Sequence, residues 1–145
     1  MRELLANTTE FRTWSGVATV AAARDRIYLA GSDSVTRPFA VISHGSRWEA
    51  RRYAGGARNW FLTTGSLRVL FEAAIAAGDL AEHEDAESTF LTAVGGIMSA
   101  ALELSGSDDY LSLEDVELDF GPARSDEDEG ANYYQARFEC SWGPS

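Results

Sequence analysis

The sequence contains no lysine, and all twelve basic residues among its 145 residues are arginine. A chain without lysine has no P-loop lysine to bind phosphate, no lysine that forms a Schiff base and no lysine general base. It also has a single cysteine, Cys140, so an intrachain disulfide is excluded and cysteines alone cannot assemble a zinc site. This cysteine usage suits a reducing compartment. We interpret Cys140 as a small residue of a strand.

Long apolar runs are also missing. The longest run spans residues 73–77, whereas a membrane helix needs about 20 apolar residues. The first seven residues lack the apolar stretch of a secretory signal. We therefore expect a soluble protein that is made in the cytoplasm and has no membrane partner. Hydrophobic residues at 45% and charged residues at 24% are typical of one folded domain, which we expect to span residues 1–145.

Sequence motifs of catalysis are scarce as well. The segment His83-Glu84-Asp85-Ala86-Glu87 begins like a zinc-protease helix, but Glu87 stands where a second histidine is required. Neither the G-x-S-x-G nor the G-x-G-x-x-G pattern occurs. We therefore expect no enzyme activity, no catalytic residues, no cofactor and no metal.

Charges are distributed unevenly along the chain. Residues 1–71 contain ten arginines and five acids, a balance of +5, whereas residues 72–145 contain two arginines and eighteen acids, a balance of −16. The net charge of −11 argues against broad binding to duplex DNA, because neutralising phosphates requires a basic surface. The asymmetry predicts that one half recognises the other, either within one subunit or between copies.

The segment SRWEARRYAGGARNW, residues 46–60, interleaves arginines with aromatic residues, which are favoured anchors of protein interfaces. We predict a long hairpin loop over about 46–60 that contacts another subunit or a partner. Its candidate interface residues are Arg47, Trp48, Arg51, Arg52, Tyr53 and Arg58. Binding of single-stranded nucleic acid and an inert solvated loop are the alternatives, since arginine and aromatic side chains also clamp and stack bases.

The segment GPARSDEDEG, residues 121–130, contains four consecutive acids: Asp126, Glu127, Asp128 and Glu129. We predict that it is a solvated hairpin loop over about 121–131, because blocks of like charge usually stay in water. A site for Ca²⁺ or Mg²⁺ is the alternative, since these ions bind carboxylate oxygens. However, four consecutive acids cannot all point inward in one turn.

The apolar patterns predict two helices and up to five strands. Helical spacing of apolar residues extends over about 8–30 and again from the acids near residue 82 to a stop at Gly106, with Phe90, Val94, Ile97, Ala101 and Leu104 as the buried stripe. Extended patterns cover about 39–44, 59–72, 110–120 and 133–142. This order predicts an α+β fold with two helices packed on one face of a mainly antiparallel sheet of four to five strands. Glycines inside the helices, at Gly16 and Gly95-Gly96, predict close packing against a neighbouring element.

Several segments together resemble a known family. They are FRTWSG and RIYLAG near the N-terminus, PFAVISH, GSLRVLFEA, TFLTAVGGIM and the final YYQARFECSWG. In order and texture they are similar to tail terminator proteins of long-tailed bacteriophages, of the minor tail protein U type of siphophages. The resemblance covers about residues 8–142.

The resemblance implies a structural protein of the virion. Members of that family are small α+β proteins that form a hexameric ring at the head-facing end of the tail tube, stop its growth and provide the surface that joins the head. It therefore implies self-association, contacts with the tail tube protein and with a head-side neck or stopper protein, and passage of DNA through the lumen without specific binding. Another head–tail connector or tail-completion protein is the alternative within this setting, and a small nucleic-acid-binding module is the alternative from another class.

Overall fold

The computed structural model describes residues 1–30, 34–53, 60–74, 80–106, 112–125 and 133–143. Within these ranges the chain has an α+β fold with four helices and a five-stranded sheet, which confirms the predicted fold class.

The N-terminal region contains three short helices and a strand, so the prediction of one helix over residues 8–30 is wrong. The elements are α1 (Arg2–Asn7), α2 (Thr9–Ser15), α3 (Val20–Arg24) and β1 (Ile27–Leu29). Threonines cap two of the helices, since the hydroxyls of Thr8 and Thr19 accept hydrogen bonds from backbone amides of the first turns of α2 and α3. Each cap starts a new helix and thereby divides the segment.

Gly16 explains why the chain leaves the helical path after α2. It forms the C-cap of that helix with a φ of +70°, a left-handed conformation that glycine adopts without a steric penalty. A Cβ at Gly16 would meet none of the described atoms within 4 Å, so the close packing predicted there is wrong.

The remaining strands are β2 (Phe39–Tyr53), β3 (Trp60–Ala74), β4 (Ser112–Ser125) and β5 (Tyr133–Gly143). They lie where extended segments were predicted, but β2 does not end near residue 44. Its residues from Trp48 to Tyr53 pair with β3 from Gly65 back to Trp60. The predicted loop over 46–60 is therefore wrong in its bounds, because glycine and arginine interrupt the apolar alternation that identifies a strand.

The sheet has the order β1-β2-β3-β5-β4. β1 is parallel to β2, and the other neighbours are antiparallel. β5 thus lies in the interior of the sheet between β3 and β4, and β4 is an edge strand. β1 has three residues and covers only a short part of the other edge.

The long helix α4 (Leu80–Leu104) confirms the second predicted helix. Phe90, Val94, Ile97 and Ala101 are buried, as the apolar stripe predicted, and Leu104 packs against the core in part. The prediction of tight packing at Gly95 and Gly96 is wrong, since a Cβ at either glycine would have no described atom within 4 Å.

The core lies between the helices and one face of the sheet. Alternating strand residues such as Val69 and Phe71 of β3 and Tyr134 and Phe138 of β5 belong to one cluster with residues of all four helices. We call this face of the sheet the core face and the opposite one the outer face. Cys140, on the core face of β5, is fully buried, which confirms its interpretation as a strand residue.

Candidate functional site

Most of the residues predicted as an interface lie on a strand. Five of them belong to β2, whose backbone the structure describes: Arg47, Trp48, Arg51, Arg52 and Tyr53. The sixth, Arg58, lies outside the described residues. Their position is therefore fixed at one edge of the sheet rather than on a loop.

The hairpin of β2 and β3 extends beyond the rest of the sheet. β5 pairs with β3 only as far as Gly65, and β1 pairs only with residues 40–42 of β2. In the described part of the chain, residues 49–53 and 60–64 therefore pair only with each other; we call this two-stranded ribbon the arm. At about 3.3 Å per residue, five residues extend about 17 Å. Such a ribbon is marginally stable alone and gains stability from a third strand or another packing partner.

The opposite edge of the sheet is strongly acidic. Four acids of β4 are exposed: Glu114, Asp115, Glu117 and Asp119. Leu118 lies among them and is 46% exposed, although leucine usually prefers burial. We call residues 112–119 the acidic edge. The sequence patterns did not identify this acidic edge, but its signal is present in LEDVELD, residues 113–119, where four acids are interspersed with three apolar residues.

One acid of this edge faces another acid. Glu117 lies directly opposite Glu139 of β5, and like charges in this position destabilise a sheet. Arg68 of β3 compensates Glu139, since its Nε lies 3.3 Å from Glu139 Oε2. The Ser66 hydroxyl also donates to Glu139 Oε1 at 2.6 Å. Within the described residues Glu117 forms no ion pair, whereas Asp119 of the same edge pairs with Arg137 at 2.6 Å.

Some of the expected pairing between the two halves of the chain occurs within one molecule. Arg37 bonds Glu72 through Nε at 2.6 Å, and Arg68 pairs with Glu139 and more distantly with Asp119, at 3.8 Å. These contacts lie on the outer face and join first-half arginines to second-half acids. These three ion pairs involve only Arg37 and Arg68, and none of them uses an arginine of residues 47–52.

Glu72 is the most enclosed carboxylate of the outer face, with 5% of its surface exposed. In addition to Arg37, the Gln135 amide donates to Glu72 Oε2. The Arg37 guanidinium stacks on the Tyr133 ring at 3.8 Å from its centroid, which shields the ion pair from water. The group is fully partnered and holds β3, β5 and the segment before β2 together, so we assign it a structural role.

Two apolar clefts open on the core-face side. One, of about 410 Å³, lies at the end of β1 and is lined in part by Leu29, Ile42 and Leu67. The other, of about 440 Å³, lies between α2 and α4, and Trp14, Ala73 and Phe90 are among the residues that line it. Apolar clefts of this size accept side chains or small apolar molecules. The first cleft adjoins the β2 edge that carries the predicted interface residues.

His83 is half-buried and contacts the sheet. Its Nδ1 lies 2.5 Å from the hydroxyl of Tyr134, which is fully buried in β5. The same hydroxyl donates to the His83 backbone oxygen at 3.3 Å. The contact attaches the first turn of α4 to the sheet, and we assign it to structure.

The four acids of the predicted acidic loop lie outside the described residues: Asp126, Glu127, Asp128 and Glu129. The strands on either side of them, β4 and β5, are antiparallel neighbours. Within the described ranges, no three acidic, histidine or cysteine residues are grouped to hold a metal ion. The same ranges contain no helix with the length and apolar character that crossing a membrane requires.

Comparisons with models of protein families and with curated proteins give no match for this sequence.

Proposed function

We propose that this protein is a structural ring subunit of a bacteriophage tail, of the tail-terminator kind. Copies form a closed ring, hexameric as in the family that the sequence resembles, at the head-proximal end of the tail tube. The ring ends polymerisation of the tail tube protein and offers a surface to a head-side neck or stopper protein. The α+β fold agrees with what the resemblance implies.

The observation that carries the proposal is the chemical difference between the two edges of the sheet. One edge contains Arg47 and, within the arm, Arg51 and Arg52, and the other is the acidic edge of β4. A subunit with two unlike, complementary surfaces forms head-to-tail contacts, which generate a ring when the rotation between copies closes. Subunits with one self-complementary surface stop at a dimer.

Charge reversal on the arm tests this proposal. The double variant Arg51→Glu/Arg52→Glu should yield monomers in light scattering and overlong tails in electron microscopy, because the arm would repel an acidic neighbour. The control is Arg12→Glu, which reverses a charge on α2, where the described contact of the guanidinium is a hydrogen bond to the Thr9 hydroxyl. Normal rings and tails of normal length in the arm variant would contradict the proposal.

Labelling separates a terminator from another neck protein. A label on the subunit should mark the head-proximal end of tails that have been purified before joining to heads. A head-side stopper would instead mark DNA-filled heads that lack tails. A protein that remains monomeric and binds single-stranded DNA with steep salt dependence would indicate a nucleic-acid-binding module.

A further inference from the structure

The arm should gain stability from a packing partner. Its last described pair joins Tyr53 to Trp60, and among the described residues no third strand pairs with residues 49–53 or 60–64. A two-stranded ribbon is marginally stable alone. Aromatic residues at the end of a ribbon bury a large apolar area when they enter a pocket. We therefore expect the acceptor of the arm to contain an apolar cleft.

The cleft between α2 and α4, which we call the α2–α4 cleft, has the size and lining of such an acceptor. It measures about 440 Å³, and Trp14 and Phe90 form an aromatic wall, with ring centroids 6.5 Å apart. Asp85 and Thr89 contribute polar side chains. The other lining residues are small: Pro38, Ala73, Ala74, Ala86 and Ala93. A cleft of this size and character accepts a large aromatic side chain.

The α2–α4 cleft and the end of the arm have opposite charges. Asp85 lines the cleft, and Glu82 precedes it by about one turn of α4. On α2, Glu10 precedes the lining residue Trp14 by about one turn. All three acids are exposed. Residues 51–60, by contrast, contain three arginines and no acid. The charges therefore favour contact between the end of the arm and the cleft.

The basic residues next to the cleft bond other groups. Arg37, which precedes Pro38, pairs with Glu72 at 2.6 Å. The Arg12 guanidinium donates to the Thr9 hydroxyl at 3.1 Å. In these contacts neither arginine pairs with one of the three acids beside the cleft, so neither neutralises the negative charge there.

The arm and the α2–α4 cleft lie at opposite ends of β3. Residues 60–64 at the start of β3 belong to the arm, whereas Ala73 and Ala74 at its end line the cleft. At about 3.3 Å per residue, Trp60 and Ala74 are about 46 Å apart along the strand. The arm is about 17 Å long, so it cannot reach the cleft of its own molecule. A contact between the two must join different copies.

We propose that the end of the arm of one copy docks in the α2–α4 cleft of the next copy. The aromatic end of the arm, with Tyr53 and Trp60, lies in the cleft, and its arginines lie beside Glu10, Glu82 and Asp85. Each copy offers one arm and one cleft at opposite ends, so the contact repeats head to tail. The inference rests on the proposed ring and deepens it: the acidic edge adds to the field that attracts the arm, and the cleft buries its end.

Mixing two defective variants tests this contact. The cleft variant Glu82→Arg/Asp85→Arg and the arm variant Arg51→Glu/Arg52→Glu should each associate at least about tenfold more weakly, because like charges then meet. The cleft variant keeps an intact arm, and the arm variant keeps an intact cleft. An equimolar mixture should therefore form a one-to-one complex that does not grow further. Light scattering over a concentration series measures both variants, the mixture and the wild type.

A matched control makes the same charge change elsewhere. Asp25→Arg/Glu103→Arg reverses two exposed acids, one at the end of α3 and one in the last turn of α4. This control should form the same assembly as the wild type. Loss of assembly in the control equal to that in the cleft variant would overturn the contact, because net charge alone would then explain both.

The outcomes separate the contact from the ring. A wild type of fixed copy number and a one-to-one complex of the two variants are the expected results. The same complex together with wild-type dimers, or with wild-type chains of unlimited length, supports the contact and contradicts a closed ring. Wild-type rings with a cleft variant that also forms rings, or with two variants that do not combine, overturn the contact alone. A wild type that stays monomeric overturns both.

A variant that fills the cleft provides a readout independent of charge. Thr89→Trp adds a large ring to a residue that lines the cleft and should weaken association by at least about tenfold, because the arm loses its pocket. Ser99→Trp adds the same ring at another exposed position of α4 and should associate normally. Equal melting temperatures exclude misfolding. Equal association of the two variants would overturn the contact. Normal rings with overlong tails in Thr89→Trp would also overturn it and assign the cleft to the tail tube protein.

Discussion

At the scale of single residues, burial of Glu72 makes its ion pair costly to break. The residue is 5% exposed, and its carboxylate is held by Arg37 and Gln135. Arg37→Ala should lower the free energy of unfolding by about 1–3 kcal/mol, because it leaves a buried charge with one partner. In a urea titration, Arg137→Ala should cost less than about 1 kcal/mol, since its pair with Asp119 is open to solvent.

A second change separates loss of the partner from loss of packing. Adding Glu72→Gln to Arg37→Ala removes the buried charge and should restore part of the lost stability. Equal losses for Arg37→Ala and Arg137→Ala, or no recovery in the double variant, would show that the Glu72 pair contributes no more than an exposed one.

At the scale of elements, two glycines should respond in opposite ways to alanine. Gly96 lies inside α4 with open space around it, so Gly96→Ala should raise the free energy of unfolding by about 0.5–1 kcal/mol. Gly16 has a φ of +70°, which strains any residue with a Cβ, so Gly16→Ala should lower the free energy of unfolding by about 1–2 kcal/mol. Thermal and urea unfolding measure both changes. A loss of stability in Gly96→Ala would contradict the open space at Gly96, because it would mean that the added methyl group collides with a neighbouring atom.

Elements were predictable where local pattern and tertiary packing agree. The acidic start and apolar stripe of α4 predicted a helix that the structure confirms, and the alternation in β5 predicted its strand. The prediction of one helix over 8–30 was wrong because apolar spacing continues across Gly16, whereas the C-cap at Gly16 and the N-cap at Thr19 divide the segment. Gly16 and Thr19 were the sequence signals that the apolar spacing outweighed.

The candidate site was only partly predictable for a related reason. The arginine-rich segment was identified from its composition, but its place on an edge strand depends on the length of β2. The acidic edge was missed because β4 becomes an edge only when β5 lies between it and β3. That order follows from contacts between distant segments, which local sequence patterns do not encode.

At the scale of the whole molecule, we expect the acidic residues 126–129 of the proposed ring either to face a lumen that surrounds DNA or to meet an arginine-rich neighbour. Carboxylates along a lumen repel phosphates and allow DNA to pass without binding. Replacing Asp126 to Glu129 by the corresponding asparagines and glutamines should therefore alter ring assembly or DNA delivery. Particle assembly and infectivity measure these effects.

A charge-preserving control makes that experiment specific. Exchanging aspartate and glutamate within residues 126–129 keeps four negative charges and changes only side-chain length. This control should behave like the wild type. Unchanged assembly and unchanged delivery in the neutralised variant would refute a role for the acidic loop in either process.

The position of β5 in the sheet also affects how the chain folds. Its pairs with β3 join residues that are 59 to 77 positions apart, from Ala74 with Tyr133 to Gly65 with Trp142. Contacts across such separations form slowly. During synthesis, one side of β3 remains unpaired until β5 leaves the ribosome, and Tyr134, Phe138 and Cys140 of β5 join the core only then. A nascent chain released before that strand emerges should therefore be a target for chaperones and proteases.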